Sequence, residues 1–262
     1  MTSFDHLEMT RDGAVVRVVL NRSKARNALS IPLIAELRKC FAGLKQDRSV
    51  RLVVLAGNGP TFCAGADISW VKTLDDGDSE TWAGGYTALE GLLVELCAFD
   101  KPIICRVAGN VIGAGVALAS VCDMVIAPDT ARFGLPELHL GMVPTVIVPF
   151  LVRRIGGTQV QATCIAEPFF SADRARELSI VTRVVPEDIV DSVVEEAMTQ
   201  VLKCAPDAVA AFKRMMADIA APRLADHVAA ARKTAFDLLG SPEMEEGTRA
   251  LLHKTPPSWS QS

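Results

Sequence analysis

Apolar residues along this chain fall into two rhythms. Short aliphatic runs bounded by turn residues, "AVVRVVL" (Ala14–Leu20), "RLVVLAG" (Arg51–Gly57), "KPIICRVAG" (Lys101–Gly109) and "MVIA" (Met124–Ala127), predict buried β-strands. Between the first two, Leu33, Leu37, Cys40 and Leu44 recur at helical spacing behind Ser30, a capping residue, with Pro32 in the first turn. A second helix is predicted over Glu80 to Phe99, with Leu89, Leu92, Leu93 and Leu96 on one face. The acidic "DDGDSE" (Asp75–Glu80) ahead of it reads as a mobile loop. "GAGVALASVCD" (Gly113–Asp123) reads as a tight turn and a helix of small residues. Strands alternating with helices give an α/β fold. After about Val185 the chain turns helical, dividing it into a core, residues 1–185, and a helical carboxy-terminal segment, residues 186–262. The apolar faces of that segment suit a partner subunit or their own domain equally. The sequence has no internal repeat and no low-complexity stretch.

Composition narrows the function classes. The 262 residues, half of them hydrophobic, supply one large core, and the 5% aromatic share is poor for stacking on nucleic-acid bases. A net charge of −4 gives no basic field for a polyanion, although a few local cations suffice for one or two phosphates. The seven cysteines are scattered without a C-x-x-C pair, which fits reduced, buried thiols and no metal site. "MTSFDHLEMTRDG" is polar and acidic, unlike a signal peptide, and no apolar run reaches membrane length. A soluble, cytoplasmic protein acting on neither membranes nor nucleic acid is expected.

Two junctions carry chemistry: "VVLAGNGPTFCAGAD" and "IICRVAGNVIGAGVALAS". Each leads from a strand through glycine and small residues toward a helix start, where backbone N–H groups lack partners. One such junction is ordinary in an α/β domain. Two together point to one N–H from each converging on a single oxygen as it becomes negative. Each donor of such an oxyanion hole contributes roughly 3–4 kcal/mol to reactions passing through an enolate or tetrahedral oxyanion.

"NRSKARNALS", "FCAGADI", "AGNVIGAGVALASVCDMVIA", "FGLPELHLGMVP" and the terminal "EEGTRALLHKTPPSW" occur in order across nearly the whole chain. In this combination the sequence resembles the crotonase superfamily, the enoyl-CoA hydratase and isomerase group. The resemblance implies a crotonase-like superhelix of repeated ββα units with a helical carboxy-terminal trimerisation segment, trimers that often pair into hexamers, and acyl-CoA thioester substrates. Coenzyme A would arrive as part of the substrate, with no separate cofactor and no metal. Carried over by position, the oxyanion donors are the N–H groups of Ala66 and Ala114, the latter where the family usually has glycine. Ala25, Asn27 and Ala28 fall in the segment that lines the CoA channel, Ala64, Ala66, Asp67 and Ile68 on the adenine and pantetheine path, and Ala114 and Ala117 also count among the substrate-binding positions. Lys24 and Arg26 are placed to pair with CoA phosphates, against the plain alternative of solvated loop charges.

The carboxylates depart from the family pattern. Its hydratases carry one glutamate on the glycine-rich helix and another in the following "PE" segment; here those positions are Ala117 and Glu137. A lone Glu137 in a less polar cleft is expected to have a raised pKa and to act as acid and base. Counting carboxylates favours a 3,2-enoyl-CoA isomerase, which needs only one base. A finer likeness, in "LPELHLGMVPTVIVPFLVRRIG", to hydratases of branched glutaconyl-CoA compounds keeps hydration of a 2-enoyl-CoA ahead. A catalytically reduced CoA-binding subunit is the third reading. For a substrate with a second carboxylate, Arg153 or Arg154 is the available cation, although both also read as helix decoration. A hydrolytic triad of His139 with Ser69 or Ser120, or a reactive Cys63, lacks support in the pattern.

Overall fold

The structure, a computed structural model, describes residues 4–260. In chain order the elements are β1 (Leu7–Asp12), β2 (Val15–Leu20), α1 (Ile31–Gln46), β3 (Leu52–Gly57), β4 (Thr61–Cys63), α2 (Ile68–Asp75) and α3 (Ser79–Cys97). Next come β5 (Ile103–Arg106), β6 (Asn110–Ile112), α4 (Ala114–Ser120), β7 (Met124–Pro128), β8 (Arg132–Gly134), α5 (Val148–Ile155) and α6 (Gly157–Ala166). The chain closes with β9 (Phe169–Ser171), α7 (Ala172–Glu177), β10 (Arg183–Val185), α8 (Val190–Lys203), α9 (Pro206–Asp237) and α10 (Pro242–His253).

The long strands form a six-stranded sheet in the order β1-β2-β3-β5-β7-β10, parallel except for the β1–β2 hairpin. Because side chains alternate across a strand, β2, β3, β5 and β7 each feed two cores. Val16, Val18, Val53, Leu55, Ile103, Cys105 and Val125 face the main core with α1 and α3. Val15, Leu52, Val54, Ile104 and Ile126 face the other way onto Val190, Val194, Ala197 and Met198 of α8. Thus α8 is a layer of the core domain, although it lies beyond the expected boundary at residue 185.

A second sheet, β4-β6-β8-β9, is built from three-residue strands, each of the first three following a strand of the large sheet. The repeat β3–β4–α2, β5–β6–α4, β7–β8–α5 is the ββα unit implied by the resemblance. The acidic stretch expected as a loop contains one, but only of three residues, Asp76 to Asp78, with a helix on either side. Helix α2 runs to Asp75 and α3 begins at Ser79, with Asp78 accepting from Thr81 N as its cap at 3.0 Å.

The carboxy-terminal helices α8 and α10 pack on the chain's own core. Ala235 and Met244 belong to the main core, and α10 lies against α2 and the short turn after β8. The approach is so close that a Cβ on Gly247 would stand 1.7 Å from Leu140 O. Gly247→Ala must therefore push α10 away, and a loss of about 1–3 kcal/mol in unfolding free energy is expected by urea denaturation. An unchanged midpoint would show that α10 is not seated there. Among the described residues no helix is long and apolar enough to cross a membrane.

Candidate active site

Parallel pairing of β4 with β6 (Cys63↔Val111) sends the chain out of both strands on the same side, so the two glycine turns that follow lie against each other. Ala114 N is 3.5 Å from the point a Cβ on Gly65 would occupy. Ala114 is the first residue of α4, so its N–H has no carbonyl a turn behind it to bond. Ala66 reaches the same condition differently. It forms a parallel bridge with Leu29, in which Gly65 O accepts from Leu29 N (2.8 Å) and Asp67 N donates to Leu29 O (3.2 Å). A parallel bridge uses the neighbours of the bridged residue, leaving the Ala66 N–H directed to the opposite side.

The β6–β8 register brings in the carboxylate. Ile112 pairs with Gly134, Gly113 N donates to Gly134 O at 2.8 Å, and three residues later Glu137 opens a 3-10 turn, Glu137–Leu140. Its carboxyl packs beneath Gly113: a Cβ there would lie 2.6 Å from Glu137 Oε1. Glu137 Oε2 is buried with no hydrogen-bond partner among the described residues. Burial without a counter-charge pushes this carboxyl up to about 7.

One cavity of about 430 Å³ joins these groups. Its walls contain Ala66, Ala114 and Glu137 together with Lys24, Ala25, Arg26, Ala28, Ala64, Asp67 and Ile68. Ala64 N donates to Arg26 O at 3.0 Å, stitching the Lys24–Ala28 loop to the first glycine turn. Two expected members are absent from the lining. Asn27 is fully buried and turned inward: its Oδ1 accepts from Arg22 N at 2.9 Å, and its Nδ2 donates to Asn58 O and Thr61 O at 3.0 and 2.7 Å. It braces the loop at a positive φ of 54° and does not face a ligand. Ala117, completely buried within α4, likewise offers no binding surface.

Asp67 lines the cavity with its side chain already engaged. It accepts from Ser69 N and Ser69 Oγ at 2.9 and 2.6 Å and pairs with Arg22 at 2.7 Å. Burial pushes its carboxyl up, but the Ser69 hydrogen bonds and the Arg22 guanidinium outweigh that and hold it below the usual carboxylate range. Asp67 is thus the bracket of the α2 start. Sequence reasoning missed the far wall: Trp70, Trp82, Tyr86, Thr145, Met244 and Leu251. They come from α2, α3, the segment before α5 and α10, and no local motif signals their meeting.

A family model described as enoyl-CoA hydratase/isomerase matches residues 10–262. The chain belongs to the enoyl-CoA hydratase/isomerase family. It is 30% identical to the 2,3-dehydroadipyl-CoA hydratase of Escherichia coli (strain K12), over 97% of this chain and 98% of that protein. It is 31% identical to the carnitinyl-CoA dehydratase of Proteus mirabilis (strain HI4320), over 97% of each. A solved enoyl-CoA hydratase/isomerase from Marinobacter aquaeolei superimposes with a TM-score of 0.78 at 33% identity, covering 98% of this chain and 100% of that one. The fold is that of the crotonase group.

The other nucleophile candidates in this family member fall away on position. His139 is exposed and outside the cavity lining, Ser69 is held by Asp67, and Ser120 is buried in α4. The Cys63 thiol is fully buried, which pushes it up to about 12 and keeps it protonated. Arg154 donates to Ser179 O, Cys122 O and Ile180 O at 2.8, 2.7 and 3.1 Å, tying α5 to neighbouring carbonyls. Neither Arg153 nor Arg154 lines the cavity.

Proposed function

We propose that the protein is an enoyl-CoA hydratase that adds water to a 2-enoyl-CoA, with Glu137 as acid/base and the amides of Ala66 and Ala114 holding the thioester oxygen. The observation that carries this reading is the buried Glu137 Oε2, without a hydrogen-bond partner among the described residues, in the same cavity as two backbone amides freed by the geometry of their turns. In the ionised state Glu137 takes a proton from water as the water oxygen bonds to the β-carbon. The π electrons move onto the thioester oxygen, and the two N–H groups stabilise the enolate. Glu137 then returns its proton to the α-carbon, so one carboxylate does both transfers and ends as it began. Coenzyme A enters and leaves with the substrate, and no further cofactor takes part.

Lys24 and Arg26, exposed at the cavity mouth, are read as partners for the CoA phosphates. Lys24→Ala is expected to raise KM for an acyl-CoA several-fold, by about 0.5–1.5 kcal/mol, and to leave a short pantetheine thioester unaffected. Equal effects on both substrates would remove Lys24 from that role.

The buried Ala117, without a carboxylate, favours isomerisation as the second reading. A base that lifts an α-proton and returns it at the γ-carbon needs no second acid. One assay separates them. Crotonyl-CoA, 3-methylglutaconyl-CoA and a 3-enoyl-CoA are supplied in turn while the conjugated thioester absorbance is followed. Loss of absorbance marks hydration, and gain from the 3-enoyl substrate marks isomerisation. Tight CoA binding without either marks a catalytically reduced subunit.

We read the assembly as a homotrimer, alone or paired into a hexamer, in the cytoplasm. Helix α9 supports this: Phe212, Met215, Met216 and Ile219 recur at helical spacing and are 58%, 51%, 44% and 68% exposed. An apolar stripe of this kind is costly to leave in water.

A further inference from the structure

We infer that the acyl end of this cavity is built for an uncharged, apolar 2-enoyl chain and rejects acyl groups that end in a second carboxylate. The inference rests on the acyl-CoA reading above and goes beyond it to the class of acyl group.

Charge in the cavity is segregated. Of the charged residues on its walls, Lys24 and Arg26 are exposed at the mouth, Asp67 is consumed by Arg22 and Ser69, and Glu137 sits beneath Gly113. The buried end is walled by Trp70, Trp82, Tyr86, Leu89, Ile147 and Met244, each less than a tenth exposed. Its polar side-chain groups include the hydroxyls of Tyr86 and Thr145, which stand beside each other. Burial raises the Tyr86 phenol above its ordinary value, so it stays neutral.

The wall is braced as well as uncharged. The Trp70 indole donates to Trp82 O at 3.0 Å and lies so close over α3 that a Cβ on Gly85 would stand 2.6 Å from its ring. From behind, Phe236 of α9 packs edge-on against Trp82 and Tyr86, with ring centroids 6.0 and 5.9 Å apart. The Arg232 guanidinium behind Tyr86 is spent on the buried carboxylate of Glu90, with Nε 3.0 Å from Oε2. Arg153 and Arg154 are outside the lining. A carboxylate carried into this end would lose its water and, among the described residues, meet no free cation. The sequence likeness to hydratases of branched glutaconyl-CoA compounds points the other way, so the two are separable by experiment.

Calorimetric titration with octanoyl-CoA and adipoyl-CoA, both saturated and inert to hydration, reads the preference without turnover. Octanoyl-CoA is expected to bind about 100-fold more tightly, because the adipoyl carboxylate must be desolvated unpaired. Comparable affinities, or tighter binding of adipoyl-CoA, would overturn the inference. If neither ligand binds, it falls together with the acyl-CoA reading. If octanoyl-CoA binds tightly but 2-octenoyl-CoA is not hydrated, the preference stands and the hydratase assignment falls. Leu251→Lys, at a half-buried position of the far wall, adds the missing cation. With the fold checked by circular dichroism, it is expected to narrow the gap by about tenfold, and an unchanged gap would count against the absent cation as its cause.

Discussion

Glu137→Gln is expected to lower kcat/KM for a 2-enoyl-CoA by about 10²–10⁴-fold, the usual contribution of a positioned acid/base group. The amide matches the carboxyl in size, so binding of CoA should be preserved while proton transfer is lost. The pH profile adds a second signature. A single carboxylate raised by burial to about 7 must start ionised in both the forward and the reverse reaction. The kcat/KM of the wild type should therefore rise through about pH 7 and level off, without the falling limb that a separate general acid would add. Stability moves in the opposite sense. The unfolded carboxyl loses its proton near 4.5, whereas the folded one keeps it until about 7. Across that window the folded state binds more protons, so stability falls as pH rises, by about 3 kcal/mol in all. Glu137→Gln should then be more stable than the wild type at pH 8 and no more stable at pH 4, as read by urea denaturation. Retained activity, or a variant less stable at pH 8, would remove Glu137 from the proposed role.

Gly113→Ala is expected to be nearly as damaging, although it changes only one methyl group. Gly113 has φ 54° and ψ −122°, a region essentially restricted to glycine. The new Cβ would lie 2.6 Å from Glu137 Oε1 and 3.9 Å from Gly65 Cα, between the carboxylate and the neighbouring turn. To relieve both contacts the turn must rotate, moving the Ala114 N–H, or the carboxylate must leave its pocket. Loss of one oxyanion donor costs about 10²–10³-fold in kcat, and the strained backbone a further 1–3 kcal/mol of stability, roughly. Steady-state kinetics with a thermal melt checks both. Wild-type kcat with an unchanged Tm would mean the turn is free to relax and that its geometry is not what positions the donor.

The two glycine turns were legible because they are local features that follow aliphatic strands, whereas the choice of Ala66 and Ala114 within them came from the resemblance to the crotonase superfamily. The strands were legible for the same reason: short aliphatic runs such as Val15–Leu20 and Leu52–Gly57, bounded by turn residues, carry their own signal. Helix α2 was hidden, since "ISWVKTL" follows a glycine turn and ends in an acidic stretch that reads as loop. Three-residue strands such as β4 and β6 are shorter than any pattern a sequence can display. Asn27 was misassigned to the channel because a buried polar side chain satisfied by Arg22, Asn58 and Thr61 looks, in sequence, like a loop residue available to a ligand. The aromatic end of the cavity was illegible in principle, as Trp70, Tyr86 and Met244 meet only through packing between distant helices.

The most direct test is a crystal structure of the protein with an inert acyl-CoA thioester bound in this cavity. The account predicts the thioester oxygen at roughly 2.7–3.1 Å from both Ala66 N and Ala114 N, with the Glu137 carboxyl facing the α- and β-carbons. A thioester oxygen beyond hydrogen-bond reach of either amide, with Glu137 turned to bulk water, would contradict it.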